Sequence, residues 1–270
     1  MLNSETMILT AFLVAAGFAS PARAELDVWK DLGEDALHTK TYTTYSGKPP
    51  DIFAACDPAG NLHLPKPYLL DYTLTPRDTR LFERGMRAVK KYASIKAALD
   101  DGYLPLKEGF RPGMGLGMLH PDLVKDGTYN PDKPDGLTYV KKKGSALFRL
   151  VGFVYIAGSG DHPPKVANVD FGDKSRRKDA KGKAKTGVWH YGDEVCFQVD
   201  PGKSVTMLHG GGAKEHCKGH TFYKRLWFID SWGLVYNPMG LFAEQNTVVD
   251  WLDHTQKFGP LCPKPQPPTK

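Results

Sequence analysis

The second half of the chain is a succession of β-type segments with no helical segment between them, and this pattern limits the possible folds most strongly. The predicted strands cover residues 137–142, 147–157, 188–199, 204–208 and 222–235. Because parallel strands need long, usually helical crossovers, the missing β–α–β rhythm favours antiparallel pairing. In the second segment, apolar residues occupy both alternating sets of positions, which predicts a strand that is buried on both faces.

One long helix is predicted ahead of these strands. Thr75 and Pro76 supply a capping hydroxyl and a proline at the first helical position, and Gly102 is placed to end the helix. Between them, apolar residues recur at helical spacing at Phe82, Met86, Val89 and Ala93. These features predict an α+β fold, in which one long helix packs against a mostly antiparallel sheet with long Gly/Pro-rich loops.

The stretch 109–117, with the sequence GFRPGMGLG, is unusually rich in glycine. It holds four glycines and one proline, which predicts irregular or closely packed backbone. A phosphate-binding loop is excluded here because no Lys-Ser/Thr pair follows the glycines.

The first 24 residues have the layout of a secretory signal peptide. An apolar run over residues 7–19 precedes a small-x-small cleavage site at residues 20–24. The run is shorter than the ~20 apolar residues of a membrane helix, so no membrane span is expected. We therefore divide the chain into a signal peptide at 1–24, a single globular domain at 25–262 and a disordered Pro-rich tail at 263–270. The predicted location is the bacterial periplasm or the extracellular space.

Export would place the four cysteines in an oxidising compartment, where an even number predicts two disulfides. Cys196 and Cys217 flank a predicted hairpin, whereas Cys56 and Cys262 lie near the two mature ends. Of the three possible connectivities, we favour these two pairs. The long Cys56–Cys262 loop would contribute ~4 kcal/mol in the chain-entropy model. Catalysis by a free thiol is disfavoured because the cysteines form no Cys-x-x-Cys pair.

The net charge of +6 is concentrated in residues 173–185, which hold seven Lys or Arg residues against two Asp residues. Such a segment can contact an anionic surface, and its candidate contact residues are Lys174, Arg176, Arg177 and Lys178. A solvated loop is the favoured alternative, because no aromatic residue lies within the segment. For the same reason, no nucleic-acid partner is expected.

His190 is the strongest candidate for chemistry. It lies in the sequence GVWHYGDEVC, where it could bind a metal ion or act as a general base oriented by Asp193 or Glu194. The open alternative is a histidine at the edge of the core, bonded to backbone. His120 follows the glycine-rich stretch and is a candidate to converge on the same site. Three further histidines cluster among glycines, where an exposed hairpin is favoured over a metal site: His209, His216 and His220.

The chain resembles a family of uncharacterised bacterial exported proteins over about residues 80–250. The family motifs are a helix end of the form Tyr-x-Asp-Val-x-x-Ala-x-x-x-Gly-Tyr, then Gly-x-Met-Gly-x-His-Tyr, and then Asn/Asp-Pro-x-x-Pro-x-x-Leu-x-Tyr. The last motif is Trp-Met-x-His-x-Trp followed by Asn-Pro-x-Gly-x-Phe-Ala-x-x-Asn-Pro. The matching positions run in the same order here and are residues 92–103, 113–115, 130–139, 227–232, 237–243 and 246. The last of these motifs is the most specific.

The resemblance implies a metal or polar site built around the family's histidines. This chain departs from the family at two of them, because Gly117 and Asp230 stand at the motif histidine positions. Thr247 replaces the final proline of the last motif. Asp230 retains an oxygen that can ligate a hard or borderline metal, so the resemblance adds it to His190 as a candidate.

The sequence thus favours an exported binding protein for an unidentified ligand. One candidate ligand is a divalent metal ion, zinc or copper, held by His190, Asp230 and His120. The alternative is a periplasmic hydrolase-type enzyme that uses His190 as general base. No Gly-x-Ser-x-Gly or His-Glu-x-x-His motif supports a common hydrolase design. A third hypothesis is a surface-binding protein that uses the basic segment.

Overall fold

The computed structural model describes residues 29, 32–40, 76–158, 160, 189–237 and 240–256. Several predictions fall outside these residues: the signal peptide, the Cys56–Cys262 bridge, the Pro-rich tail and the basic segment with Lys174, Arg176, Arg177 and Lys178. None of the helices in the described ranges combines the length and the apolar character needed to cross a membrane.

Seven strands of the described chain close into a barrel. They are β1 (Leu104–Arg111), β2 (Gly115–Leu119), β3 (Gly136–Lys141), β4 (Phe148–Ala157), β5 (His190–Asp200), β6 (Ser204–Leu208) and β7 (Thr221–Ser231). Their order around the barrel is β1-β2-β3-β4-β7-β5-β6. Neighbours pair antiparallel, except that β1 and β6 run parallel and close the barrel through Leu106 and Val205. A closed barrel leaves no strand edge exposed.

The predicted α+β fold with one long helix on a mostly antiparallel sheet is wrong, because the described strands form a closed mixed barrel with short helices. These are α1 (Pro76–Val89), α2 (Ile95–Asp100), α3 (Pro121–Asp126), α4 (Ala213–His216) and α5 (Thr247–Thr255). The longest has 14 residues. The single predicted helix is therefore two α-helices, with a 3-10 turn at Lys90–Ala93 between them.

The barrel itself supplies a reason for the break in that helix. Tyr139 of β3 donates its hydroxyl to the carbonyl oxygen of Tyr92 at 2.7 Å, so this backbone group bonds the barrel wall. Tyr92 is buried and its ring lies 5.0 Å from that of Tyr103. The chain thus turns toward the barrel where the sequence pattern alone would continue the helix, because tertiary contacts override local propensity.

Five of the strands agree with the sequence prediction to within a few residues, but β1 and β2 were missed. The glycine-rich stretch forms the end of β1, a tight turn and the start of β2. Gly113 in this turn has a φ of +72°, a conformation that L-residues rarely adopt. On β2, a Cβ atom at Gly117 would lie 2.5 Å from Leu106 Cδ1. The glycines therefore allow the tight turn and the close packing of this hairpin in the barrel wall.

Both faces of β4 are covered, which confirms that part of the prediction. Val154 and Ile156 belong to the apolar cluster inside the barrel. Phe153 and Tyr155 point outward into a second cluster, where the Phe153 ring stacks 6.2 Å from Phe82 of α1. The alternation of side chains along a strand thus contributes one set to the barrel interior and one to the helix layer.

The predicted bridge between Cys196 and Cys217 is confirmed. Cys196 lies on β5, the strand between β6 and β7, and Cys217 follows α4 directly. The bridge closes a sequence separation of 21 residues and is buried with Ala213 in a small apolar cluster outside the barrel. It therefore ties the β6–β7 connection to the barrel wall.

Candidate functional site

A cavity of about 280 Å³ occupies the barrel interior. Its apolar walls are formed by Leu106, Met114, Met118, Leu119, Leu137, Val154, Ile156, Met207, Phe228 and Trp232. Four glycines, at positions 115, 117, 136 and 192, also line it. Ligand pockets usually begin near 300 Å³, so this space suits a small molecule.

The polar lining residues gather at one end of the barrel. Parallel strands β1 and β6 both end there, β5 begins there, and β7 ends there. This end carries Arg111, His190, Tyr191, His209, Asp230 and Glu244. The strand directions therefore bring together side chains that are up to 133 positions apart in the chain, from residue 111 to residue 244.

His190 and Asp230 form a pair inside this end of the barrel. His190 lies opposite Phe228 in the β5–β7 ladder, and Asp230 lies two residues further along β7 on the same face. His190 Nε2 is 3.2 Å from Asp230 Oδ2. The imidazole also stacks on the Phe228 ring, with centroids 5.5 Å apart and planes inclined by 15°.

The contact between the two side chains is close but does not satisfy the carboxyl group. Asp230 is 3% exposed, and its Oδ2 has no hydrogen-bond partner in the described structure. The ring N–H of His190 therefore does not point at this oxygen with hydrogen-bonding geometry, despite the short distance. Buried polar atoms of this kind are rare in folded proteins and call for an explanation, such as a bound water, ion or ligand, or a catalytic role.

Burial shifts the pKa values of Asp230 and His190 in opposite directions. It raises the pKa of Asp230 to about 8, an effect strengthened by Glu244 and opposed by Arg111. It lowers the pKa of His190, against an opposing effect of Glu244. A low-polarity site disfavours the charged form of each group. The pair therefore holds one proton near neutral pH and carries no net charge.

The acids adjacent to His190 in sequence do not contact it. Asp193 accepts a 2.6 Å bond from Arg225 Nε on the outside of the barrel. Glu194 has a φ of +51° and is half-buried. The carboxylate that could orient His190 is thus Asp230, supplied by a neighbouring strand.

His120 lies away from the His190–Asp230 pair. Its side chain caps α3 by accepting the Leu123 N–H at 3.4 Å, and its ring lies edge-on to Tyr103 at 5.2 Å. It is not among the cavity-lining residues. No group of three or more possible metal ligands occurs in the described ranges. The two donors His190 and Asp230 fall short of the three protein ligands typical of a catalytic zinc site.

Besides Tyr191, which adjoins His190 in the sequence, three residues of the polar end were not predicted as site residues. Arg111 falls in the glycine-rich stretch, and Glu244 precedes α5 without a recognisable motif. His209 belongs to the histidine cluster, but the sequence favoured an exposed hairpin there. Burial lowers the pKa of His209, and Arg111 lowers it further, against an opposing effect of Glu108. Only the histidine cluster gave a signal for any of the three.

Fold and site together define a closed β-barrel with a ligand-sized interior and a buried carboxyl–imidazole pair at its polar end. No protein-family model, no curated protein and no solved structure matches the chain.

Replacing Asp230 with asparagine is expected to remove a pH-dependent loss of stability. The folded pKa of about 8 lies above the unfolded value, so the folded chain holds a proton that the unfolded chain releases. Below pH 6.5, the lowered pKa of His190 acts in the opposite direction and offsets this slope. We expect the wild-type free energy of unfolding to fall by about 2 kcal/mol from pH 6.5 to 8, relative to Asp230→Asn.

Urea unfolding at a series of pH values measures this difference. Asp250→Asn is the matched control, because burial raises the pKa of that carboxyl only to about 6, so most of its titration lies below the window. Parallel curves for the wild type and Asp230→Asn between pH 6.5 and 8 would show that Asp230 is already ionised in the folded chain.

Proposed function

We propose that this protein binds a small, largely apolar molecule inside the barrel. The observation that carries the proposal is the Asp230 carboxyl group, which lines the cavity and whose buried Oδ2 has no hydrogen-bond partner in the described structure. Leaving such an atom unsatisfied costs about 1–3 kcal/mol. A ligand that donates a hydrogen bond to it would recover this cost and be held in one orientation.

The walls of the cavity support the apolar character of the ligand. Small barrels usually fill their interior with side chains, or hold one small ligand. Here Gly117 and Gly192 contribute no side chain at two inward positions, and Val154, Ile156 and Trp232 surround the remaining space. Transfer of an apolar ligand from water to such walls contributes about 25 cal/mol for each Å² that is buried.

Filling the cavity is expected to abolish ligand binding while the barrel stays folded. Val154 lies directly opposite Asp230 in the β4–β7 ladder and lines the cavity. In Val154→Phe, the added ring occupies the space beside the carboxyl group. Ligand-detected NMR with 2-phenylethylamine, 2-phenylethanol and 3-phenylpropanoate should show binding of at least one compound to the wild type, weakened about tenfold or more in the variant.

Leu147→Phe is the control, because it adds the same ring at an exposed position, where Leu147 is 50% exposed. This variant should bind as the wild type does. Equal binding to wild type, Val154→Phe and Leu147→Phe, or no binding to any of them, would contradict a ligand site in the barrel.

A hydrolase that uses His190 as general base is the second candidate. It is supported by the 3.2 Å approach of Asp230 Oδ2 to His190 Nε2, a distance from which an orienting hydrogen bond can form in a substrate complex. The described cavity lining contains no serine and no cysteine, so the nucleophile would be water or the hydroxyl group of Thr138. Release of product from an ester probe, lost in His190→Gln, would favour this candidate over simple binding.

The proposed location is the periplasm or the extracellular space. The leader sequence supports it, and so does the Cys196–Cys217 bridge, because disulfides persist in oxidising compartments.

A further inference from the structure

The chemical class of the ligand is indicated by Asp230 Oδ2, a buried oxygen that has no hydrogen-bond partner in the described structure. This oxygen is an acceptor in its ionised state, and the Asp230 side chain lines the cavity that a ligand can occupy. His190 is close enough to limit access from one side but does not bond this oxygen. A ligand that complements the ionised form of this carboxyl group must therefore bring a hydrogen-bond donor.

We propose that the ligand is a small primary amine with an apolar body, whose ammonium group is bound by the Asp230 carboxylate. This inference rests on the proposed function, since it names the chemical class of the molecule inside the barrel. An ammonium group offers three donors and a positive charge, and charge-assisted hydrogen bonds are stronger than neutral ones.

The charges around the cavity favour a cation over an anion. The titratable groups that face Asp230 from the neighbouring elements are Arg111, His190, His209 and Glu244, whereas the Tyr191 ring lies on the outer face of β5 against Trp227. Both histidines are neutral near pH 7 because burial lowers their pKa values. Glu244 affects the Asp230 pKa more strongly than Arg111 does, so the fixed charges give a negative potential at this carboxyl.

The apolar walls suit the remainder of such a ligand. Trp232 is 2% exposed and offers an aromatic surface to the cavity, and Phe228 lies beside the His190–Asp230 pair. Aromatic rings attract cations as well as apolar groups. A short aromatic or aliphatic amine would thus place its charged end at Asp230 and its body among apolar side chains.

Binding of the amine would displace a proton from Asp230. The carboxyl group is protonated when the cavity holds no cation, and the arriving ammonium makes the carboxylate form favourable. The O–H bond of the carboxyl breaks, the proton leaves to solvent, and the ammonium keeps its own three protons. A neutral alcohol of the same shape would bind without releasing a proton.

Isothermal titration calorimetry at pH 7, in phosphate and in Tris buffer, measures both affinity and proton release. The probes are 2-phenylethylamine, 2-phenylethanol and 3-phenylpropanoate, which share an apolar body and differ in the polar group. We expect the amine to bind about tenfold or more tightly than the alcohol and to release close to one proton, and the carboxylate not to bind.

Variants assign the effect to the carboxyl group. Asp230→Asn should weaken amine binding about tenfold or more and leave alcohol binding unchanged, whereas Asp250→Asn, which alters a buried carboxyl outside the cavity, should change neither. The proton count on the wild type tests the proposal independently of how Asp230→Asn folds.

The outcomes separate this inference from the proposed function. Equal binding of amine and alcohol without proton release, still blocked by Val154→Phe, would overturn the amine and leave the ligand site standing. Preferential binding of 3-phenylpropanoate would do the same. If no probe binds to the wild type or to Val154→Phe, both the proposed amine ligand and the proposed ligand site are contradicted.

Discussion

Replacing Trp232 with alanine is expected to lower the free energy of unfolding by about 3–5 kcal/mol. Trp232 follows β7 and is 2% exposed. Its ring packs against Gly152 of β4, where a Cβ atom would lie 3.0 Å from Trp232 Cε3. Its Nε1 donates to the carbonyl oxygen of Ala243 at 2.6 Å, in the segment that leads to α5. The substitution therefore empties part of the core and leaves a carbonyl group without its partner.

Denaturant unfolding with a constant m-value measures this loss. Trp232→Phe is the graded control, since it keeps a ring against Gly152 and removes only the Nε1 donor and part of the volume. It should cost clearly less than the alanine variant. A Trp232→Ala protein within about 1 kcal/mol of the wild type would mean that this ring does not join α5 to the barrel.

Opening the Cys196–Cys217 bridge is expected to destabilise the protein by about 3 kcal/mol. The bridge closes a separation of 21 residues, and the chain-entropy model assigns roughly this value to a loop of that length. The effect comes mainly from the unfolded chain, which gains freedom when the loop is open. The double variant Cys196→Ala/Cys217→Ala measures it without reductant, so Cys56 and Cys262 are left untouched.

The two single variants complete the test of the bridge. Each opens the same loop, so each should lose about as much stability as the double variant, and the losses should not add. Additive losses from the two single variants would show that side-chain packing in the small cluster around Ala213, and not the covalent link, supplies the stability.

Local patterns predicted the elements of this fold better than their assembly. The alternation in β4 is a property of neighbouring residues, and it correctly indicated a strand with two buried faces. Closure of the barrel depends on the pairing of Leu106 with Val205, which are 99 positions apart. Such a long-range register leaves no signature in the local sequence. The strands β1 and β2 were missed because their hairpin is rich in glycine, a residue with low strand propensity.

The candidate site shows the same division. His190 was found because aromatic residues and acids surround it in the sequence, but its two neighbouring acids lie elsewhere in the structure. Asp230 was found only through the family resemblance. Its closeness to His190 follows from a diagonal position across β5 and β7, which spacing along the chain cannot reveal.

The sequence by itself determined the strand segments of the second half, the choice of His190 and the Cys196–Cys217 pair, because each follows from residues that are close together in the chain. Only the tertiary structure decided that these strands close on themselves and enclose a cavity. It alone decided that Asp230 is buried beside His190 with an unsatisfied oxygen. Burial and the approach of distant charges set the chemistry of that carboxyl group, and both exist only once the barrel has formed.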